Sequence, residues 1–377
     1  MNRTIILATG GTGGHIYPAV AVAETLIARG FQPVFVGQRT GLEAQLIPAA
    51  GLPFHGVRAG KWHRGRPDPR QAALAALGLR DAVTLLRQLR PALVVGFGGF
   101  ASFPALAAAR TLGVPYALHE QNAFPGKVTR WFAGGARFVG AAGEVRAQLG
   151  VDVQVVGTPI REARVSKAEA RRRLGLPEGG VVTFVMGGSQ GSLALNRAVP
   201  EAFAALSREV KADLYVLHSS GPAHLDATRA RAAGTGYRVD AYIESVLAWS
   251  AADLGITRSG NGTLAEAAFH GVPLIMVPLP SAAEDHQLRN AEAVAAAGAG
   301  VVVEETALPT LVGVWQGLLD PGVRRQLSVQ ARLRSPEGAA ERFVSLIERT
   351  LHAATPRDKL LGDETPRDEQ NTMPETL

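Results

Sequence analysis

The sequence predicts an α/β protein built from two doubly wound domains, and three observations carry that expectation. Short Val/Ile-rich runs alternate with helix-like stretches along most of the chain, the pattern of parallel strands covered by helices on both faces. The strand–glycine-loop–helix opening TIILATGGTGGH recurs near the middle as VVTFVMGGSQGS. The length of 377 residues exceeds what one core fills, since single cores rarely grow past ~250–300 residues.

The elements follow in order. TIILATG precedes a helix ending at ARG, then come PVFVG, ALVVGFGG before an alanine-rich helix, VPYALHEQN and ARFVGAAG. VDVQVVGTPI closes this half near residue 160. After the polar helical segment SKAEARRRLGLPEG, the second half supplies VVTFVM, DLYVLHSSG, YRVDAYI, ADLGITRSG and VPLIMVPLP. The expected division is therefore 1–160 and 161–335, followed by a helix over 336–350 placed to pack on the first domain. Residues 351–377, with three prolines and scattered charge, are expected to form a disordered tail. Ligand is expected between the domains, at the C-terminal ends of the strands.

Composition narrows the chemistry. The chain has no cysteine, which excludes disulfides, thiol catalysis and thiolate metal sites. No run of 18 apolar residues is free of charge, so a spanning helix is not expected. The polar start MNRTIILATGG lacks the pattern of a secretory signal, and the expected location is the cytoplasm or its membrane face. Net charge is +6, yet residues 1–160 hold 16 Lys and Arg against seven Asp and Glu. Nucleic acid, anionic lipid or a phosphorylated substrate would each exploit that field.

Gly10, Gly11, Gly13 and Gly14 make the first loop either an anion site at a helix N-terminus or a tight strand–helix corner. There is no GK[ST], so a P-loop is excluded. Gln38 and Arg39 follow the second strand where a dinucleotide site would carry an acid,. His15, with an ordinary pKa of ~6.5, is a usable base or a packing residue. Gly96, Gly98 and Gly99 offer a second nest, and two nests side by side suit a diphosphate; alternatively they make room for Phe97 and Phe100. In HEQN, Glu120 and Asn122 are placed to position a hydroxyl, whereas His119 is functional or simply packed. No H-x-x-x-H or H-E-x-x-H pattern occurs, so no dedicated metal site is expected.

In the second half, GGSQGS repeats the loop design, and TRSGNGTLAE opens a helix. Glu266 there is positioned either to accept ribose hydroxyls or to offset the helix dipole. His286, Gln287 and Asn290 lie where a sugar would be met. Residues 58–90 hold Arg58, Lys61, Arg64, Arg66, Arg70, Arg80, Arg87 and Arg90 against Asp68 and Asp81, with Trp62 and apolar runs. That combination fits an interfacial helix on anionic lipid, ordinary helical packing, or nucleic acid. The lack of repeated stacking aromatics counts against the last.

Read in order over about residues 5–345, GGTGGH, GFGGF, HEQN, GTPIR, GGSQGS, RSGNGTLAE and HQxxNA resemble the bacterial peptidoglycan N-acetylglucosaminyltransferases of glycosyltransferase family 28. The resemblance implies a GT-B fold, two Rossmann-like domains facing across a cleft. It implies a UDP-N-acetylglucosamine donor and an undecaprenyl-pyrophosphoryl-N-acetylmuramyl-pentapeptide acceptor. The acceptor C4 hydroxyl would attack with inversion, giving a β-1,4 linkage, with no cofactor and no essential metal. It places Thr12, Gly13, Gly14, Asn122, Arg161 and Ser189 at the donor. Ile243 falls on the uracil side, Asn261, Gly262, Thr263, Leu264 and Ala265 near phosphate, Glu266 on ribose, and His286 with Gln287 on the sugar. Gly10, Gly11, Gly98 and Gly99 would meet the acceptor diphosphate.

The same resemblance turns Lys61, Trp62, Arg64, Arg66, Arg80 and Arg87 toward anionic lipid on the cytoplasmic face, as in a peripheral membrane protein. Nucleic acid is then no partner, and other cell-wall enzymes stay open as partners. His15 is the leading candidate base, with Glu120 its rival. Three positions depart from the family pattern: Thr158 where asparagine is common, His286 in place of a glutamine, and Phe103 in place of a glycine. The alternatives are a related GT-B transferase, a UDP-sugar epimerase, or a non-catalytic lipid-diphosphate or nucleotide-binding module.

Overall fold

A computed structural model describes residues 3–60, 68–188, 190–232, 234–282 and 285–353. Lys61, Trp62, Arg64, Arg66, Ser189 and most of the expected tail, 354–377, lie outside the described residues.

The first half contains β1 (Thr4–Ala8), α1 (Gly13–Ala28), β2 (Gln32–Gln38), α2 (Glu43–Ala49), β3 (Phe54–Val57), α3 (Pro69–Leu89) and β4 (Leu93–Gly96). It continues with α4 (Phe103–Leu112), β5 (Tyr116–Glu120), α5 (Lys127–Phe132), β6 (Val139–Ala141), α6 (Arg146–Leu149) and β7 (Val153–Val155). Its seven strands lie in the order β3-β2-β1-β4-β5-β6-β7, parallel throughout. β4 is buried along its whole length and β1 from its second residue on. Near-continuous apolar runs are what a sheet covered on both faces requires.

The second half begins with α7 (Lys167–Leu174), which Ser166 caps by accepting the Glu169 N–H at 3.2 Å. It ends on Gly175 in the left-handed conformation, so both helix ends are satisfied locally. Then follow β8 (Val181–Met186), α8 (Leu193–Ala205), α9 (Arg208–Ala212), β9 (Leu214–Ser219), α10 (Leu225–Arg229) and β10 (Tyr237–Asp240). α11 (Ser245–Ala251), β11 (Leu254–Thr257), α12 (Asn261–His270), β12 (Leu274–Met276), α13 (His286–Ala296) and β13 (Gly300–Val302) come next. The six strands run parallel in the order β10-β9-β8-β11-β12-β13. α14 (Leu311–Leu318) and α15 (Pro321–Leu333) complete this half.

Each sheet is sandwiched between two apolar layers. In the first half one layer gathers Leu26, Phe35 and Ile47, and the other Val36, Leu86 and Phe132. In the second half the layers gather around Trp249 and Trp315. The last helix, α16 (Ala339–Ala353), follows the second half in sequence but packs on the first. Its Phe343, Val344, Leu346 and Ile347 enter the same layer as Leu26 and Phe35. Gly140 lets β6 approach it closely, because a Cβ there would stand 2.7 Å from the Phe343 ring. Arg29 pairs with Glu348 at 2.8 Å and with Glu341. These are partly exposed pairs worth little, so apolar burial holds the helix.

α3 is capped by Asp68, which accepts the Arg70 N–H at 2.9 Å. Arg58 is tied to Asp81 by two side-chain bonds of 2.8 and 2.6 Å, which hold the Asp81 carboxyl below its ordinary pKa. Arg80 and Arg87 are exposed and share a helical face with the partly exposed Leu77,. No described helix is long and apolar enough to cross a membrane.

Truncating a fully buried aromatic costs ~3–5 kcal/mol. Phe343→Ala is therefore expected to destabilise the first half by about that amount in chemical denaturation. An unchanged midpoint would remove α16 from that core.

Candidate active site

Strand order reverses direction between β1 and β4 in the first sheet, and between β8 and β11 in the second. A crevice opens at the carboxyl ends of such neighbours, because their connections leave to opposite faces. Ala8 pairs with Gly96, and Thr257 with Met186. The Gly10–Gly14 loop therefore leaves the first sheet beside the Gly98–Gly99 loop, and RSGNG leaves the second beside GGSQGS.

In the first crevice, Gly98 and Gly99 have φ of 83° and 75°, and side chains there would collide with their surroundings. A Cβ on Gly99 would stand 2.5 Å from the Gly10 carbonyl oxygen, and one on Gly98 3.1 Å from the His15 ring. The second glycine cluster thus gives His15 its place. His15 Nδ1 lies 2.9 Å from Thr12 Oγ1. Burial first, and then the positive charge that His286 can carry, lower the His15 pKa to about 4. The ring is therefore neutral at pH 7. The first-turn N–H groups of Gly13 and Gly14 have no intrahelical acceptor. Gly11 requires a correction: its N–H is donated to Glu43 Oε2 at 3.1 Å, so it is not free to meet an anion.

Glu120, at the end of β5, also requires one. Thr129 Oγ1 at 2.7 Å and the Gly126 N–H at 3.1 Å bind one oxygen. The Asn122 N–H at 3.0 Å and its amide nitrogen at 3.1 Å bind the other. Burial raises its pKa while these donors oppose the rise. With both oxygens already accepting the chain's own donors, Glu120 clamps a loop in this arrangement rather than presenting a free lone pair to a hydroxyl. His119 is packed between Phe97 and Phe343, with Nε2 3.0 Å from the Gly157 carbonyl.

The clamped loop meets the second half directly. Asn290 Oδ1 accepts the Ala123 N–H at 3.0 Å, and its amide nitrogen donates to Asn122 Oδ1 at 3.3 Å and Ser259 O at 3.4 Å. The Asn122 and Asn290 side chains thus join the two halves. Asn261 Nδ2 likewise donates to Thr158 Oγ1 at 2.6 Å, so the threonine found in place of asparagine serves the linker.

α12 carries the second site. The N–H groups of Asn261, Gly262 and Thr263 fall in its unbonded first turn, while the Leu264 N–H already bonds to Gly260 O. Leu264 and Ala265 are buried, so their side chains serve the core. Ile243 is buried too and leaves only its backbone for a ligand. Glu266 Oε2 accepts the indole N–H of Trp249 at 2.9 Å, which leaves Oε1 for a ligand. Burial, with help from Glu244, raises the Glu266 pKa to about 7 despite that bond. Gln287 Oε1 accepts the Ser259 and Leu279 N–H groups at 3.3 and 3.0 Å, leaving its amide nitrogen to donate.

Across the cleft, Tyr17 of α1 feels the Glu266 charge, and Tyr242 feels Tyr17, Glu266 and Arg161. Both tyrosines are more than half exposed, at 51% and 69%. The structure therefore gathers Glu266 and Arg161 with two aromatic rings that no motif marks. Trp249 and the buried Arg258, whose Nη1 donates to Val277 O and Pro278 O at 3.1 Å, also carry no sequence signal beyond their neighbours. Among the described residues no three His, Asp or Glu side chains come together to hold a metal ion.

Residues 5–140 match the glycosyltransferase family 28 N-terminal domain, and residues 182–327 match the family 28 C-terminal domain. The UDP-N-acetylglucosamine–N-acetylmuramyl-(pentapeptide) pyrophosphoryl-undecaprenol N-acetylglucosamine transferase of Deinococcus deserti is 46% identical over 92% of this chain and 98% of its own. The protein of the same name from Thermus thermophilus is 41% identical over 92% of this chain and 100% of its own. The crystal structure of Acinetobacter baumannii MurG superposes with a TM-score of 0.76 at 28% identity, covering 92% of this chain and 99% of that one. Both halves of the fold and nearly the whole length agree: the chain belongs to glycosyltransferase family 28.

Proposed function

We propose that the chain transfers N-acetylglucosamine from UDP-N-acetylglucosamine to lipid-linked N-acetylmuramyl-pentapeptide, on the C4 hydroxyl and with inversion. The observation that carries the site assignment is that the first half and the second are joined at the cleft, by Asn290 to Asn122 and by Asn261 to Thr158, with His15 close enough to His286 to feel its charge. A first-half loop and a second-half helix converge there on one volume, as a reaction between two separately bound substrates requires.

The second half holds the donor. Glu266 Oε1 accepts a ribose hydroxyl, Ile243 offers its backbone to uracil, and the Gln287 amide nitrogen with His286 addresses the sugar. As the acceptor O4–C1 bond forms, the bond from C1 to the diphosphate oxygen breaks, and its electron pair leaves with UDP. The α12 N-terminus and Arg161 face that developing charge. Arg161 is exposed and, among the described residues, only its carbonyl is bonded, by the Ala163 N–H, so its guanidinium is placed to address phosphate.

His15 takes the proton. With Nδ1–H donated to Thr12, Nε2 carries the free lone pair. An acceptor diphosphate nearby favours the charged imidazolium and brings the base toward its working range. The acceptor sits over the first half, near Gly98, Gly99 and the first turn of α1. Arg80 and Arg87 with Leu77 turn that half toward anionic lipid, at the cytoplasmic membrane surface.

A transfer assay with UDP-N-acetylglucosamine and the lipid-linked acceptor is expected to yield disaccharide and UDP. UDP release without acceptor would favour hydrolysis or epimerisation. His15→Ala is expected to lower kcat by ~10²-fold or more with little change in donor KM; an unchanged kcat excludes it as the base.

Calorimetry is expected to show UDP binding strengthening between pH 6 and 8 as Glu266 ionises. Glu266→Gln should flatten that part of the pH dependence and weaken binding by ~1.5–3 kcal/mol; matching wild-type and variant profiles would remove the ribose role.

Neutralising two surface arginines removes ~2 kcal/mol of attraction to anionic lipid. The Arg80→Gln/Arg87→Gln pair should therefore bind anionic vesicles about thirtyfold more weakly. Undiminished binding would place the membrane face elsewhere.

A further inference from the structure

We propose that Glu43 is the positioning residue of the first glycine loop, holding Gly11 so that Thr12 and His15 are presented to the cleft. The role rests on the transfer reaction proposed above. Glu43 opens α2 and its side chain is wholly buried, at 0% exposure. A carboxylate in such a place is costly unless it is hydrogen-bonded. No Lys or Arg pairs with it among the described residues. Instead Oε1 accepts the Gln38 N–H at 2.8 Å and Oε2 accepts the Gly11 N–H at 3.1 Å. One side chain thus ties the end of β2 to the loop leaving β1, through two charge-assisted bonds to backbone.

The surrounding chain is shaped for this carboxylate. A Cβ on Gly10, Gly37 or Gly41 would stand 2.0, 2.7 or 2.5 Å from atoms of the Glu43 side chain. Three glycines, Gly37 in β2 and Gly10 and Gly41 in the neighbouring loops, therefore leave room for it. An apolar side chain of similar size would fill the space at lower desolvation cost. What only the carboxylate supplies is a fixed direction for the Gly11 N–H. Gly11 immediately precedes Thr12, which caps α1 and hydrogen-bonds His15. A shift at Gly11 is passed to His15 within four residues, whereas the UDP contacts proposed above lie on the second half.

Two variants test this by different routes. Glu43→Gln keeps the volume but turns one of the two acceptors into a donor facing an N–H. Gly41→Ala leaves Glu43 in the sequence but crowds its carboxylate, and Gly41 has an ordinary φ, so backbone strain adds nothing. Turnover is measured per UDP-binding site, counted by calorimetric titration with UDP. A role limited to stability would lower the number of sites and leave turnover per site intact.

Each variant is expected to lose about tenfold to a hundredfold in kcat per site, with the UDP Kd and the donor KM close to wild type. The double variant should be no worse than the poorer single one, since both act through one bond. Wild-type kcat per site in either variant overturns the role, as do losses that multiply in the double variant. If the unaltered chain makes no disaccharide, the transfer reading falls and this role falls with it.

Discussion

The pairing of β1 with β4, and of β8 with β11, decides where everything else in this protein stands. In a parallel sheet each connection must cross a face, and the direction in which successive strands are laid down across the sheet reverses only at those two neighbours. Four loops consequently leave the two sheets at adjacent strand ends, and three of them reach α1, α8 and α12 almost at once. The glycines are a consequence of that crowding. Gly99 has no space for a side chain beside the Gly10 carbonyl, and the His15 ring occupies what the glycines leave open.

Burial then disfavours charge on either side of the cleft. Low-dielectric surroundings disfavour the charged form of any group, so His15 is held neutral and Glu266 is held near half-ionisation at pH 7. Both residues lie where a ligand carrying phosphate and hydroxyl groups would change the surroundings most. A bound anion or hydroxyl would therefore move both groups toward their charged forms or away from them, depending on its own charge. Glu120 and Glu43 answer burial differently, by surrounding themselves with the chain's own donors, and this separates the scaffold carboxylates from the ligand-facing one.

The fold was largely legible because its signals are local: Val/Ile runs, the repeated glycine loops, and the polar helical segment SKAEARRRLGLPEG between the two halves. The site was legible only in outline. Motifs name the strand ends, yet they do not say which polar atoms are already spent. HEQN looks like a ligand-binding run, but both Glu120 oxygens and the Asn122 amide are used within the protein. RSGNGTLAE likewise contains Leu264 and Ala265, which are core residues of a helix. Tyr17 and Tyr242 stayed hidden because their placement depends on how the halves meet, and Trp249 because its bond to Glu266 depends on packing within the second half, properties of distant segments that no short spacing encodes. Asn290 was visible as a polar residue, and only the approach of Asn122 and Ala123 makes it a brace.

The path of α16 has a consequence for how the molecule comes into being. The first half's sheet is complete once Val155 has been made, but its apolar layer lacks Phe343 and Ile347 until the whole second half has followed. At ~5–20 residues per second, that interval lasts on the order of ten to forty seconds during synthesis. Through it, the groove that α16 will fill stays open to water beside a nearly finished sheet. The second half, whose layers gather around Trp249 and Trp315, has no such wait. The domain made first is thus the domain finished last, and its groove is the surface that a nascent-chain chaperone would find.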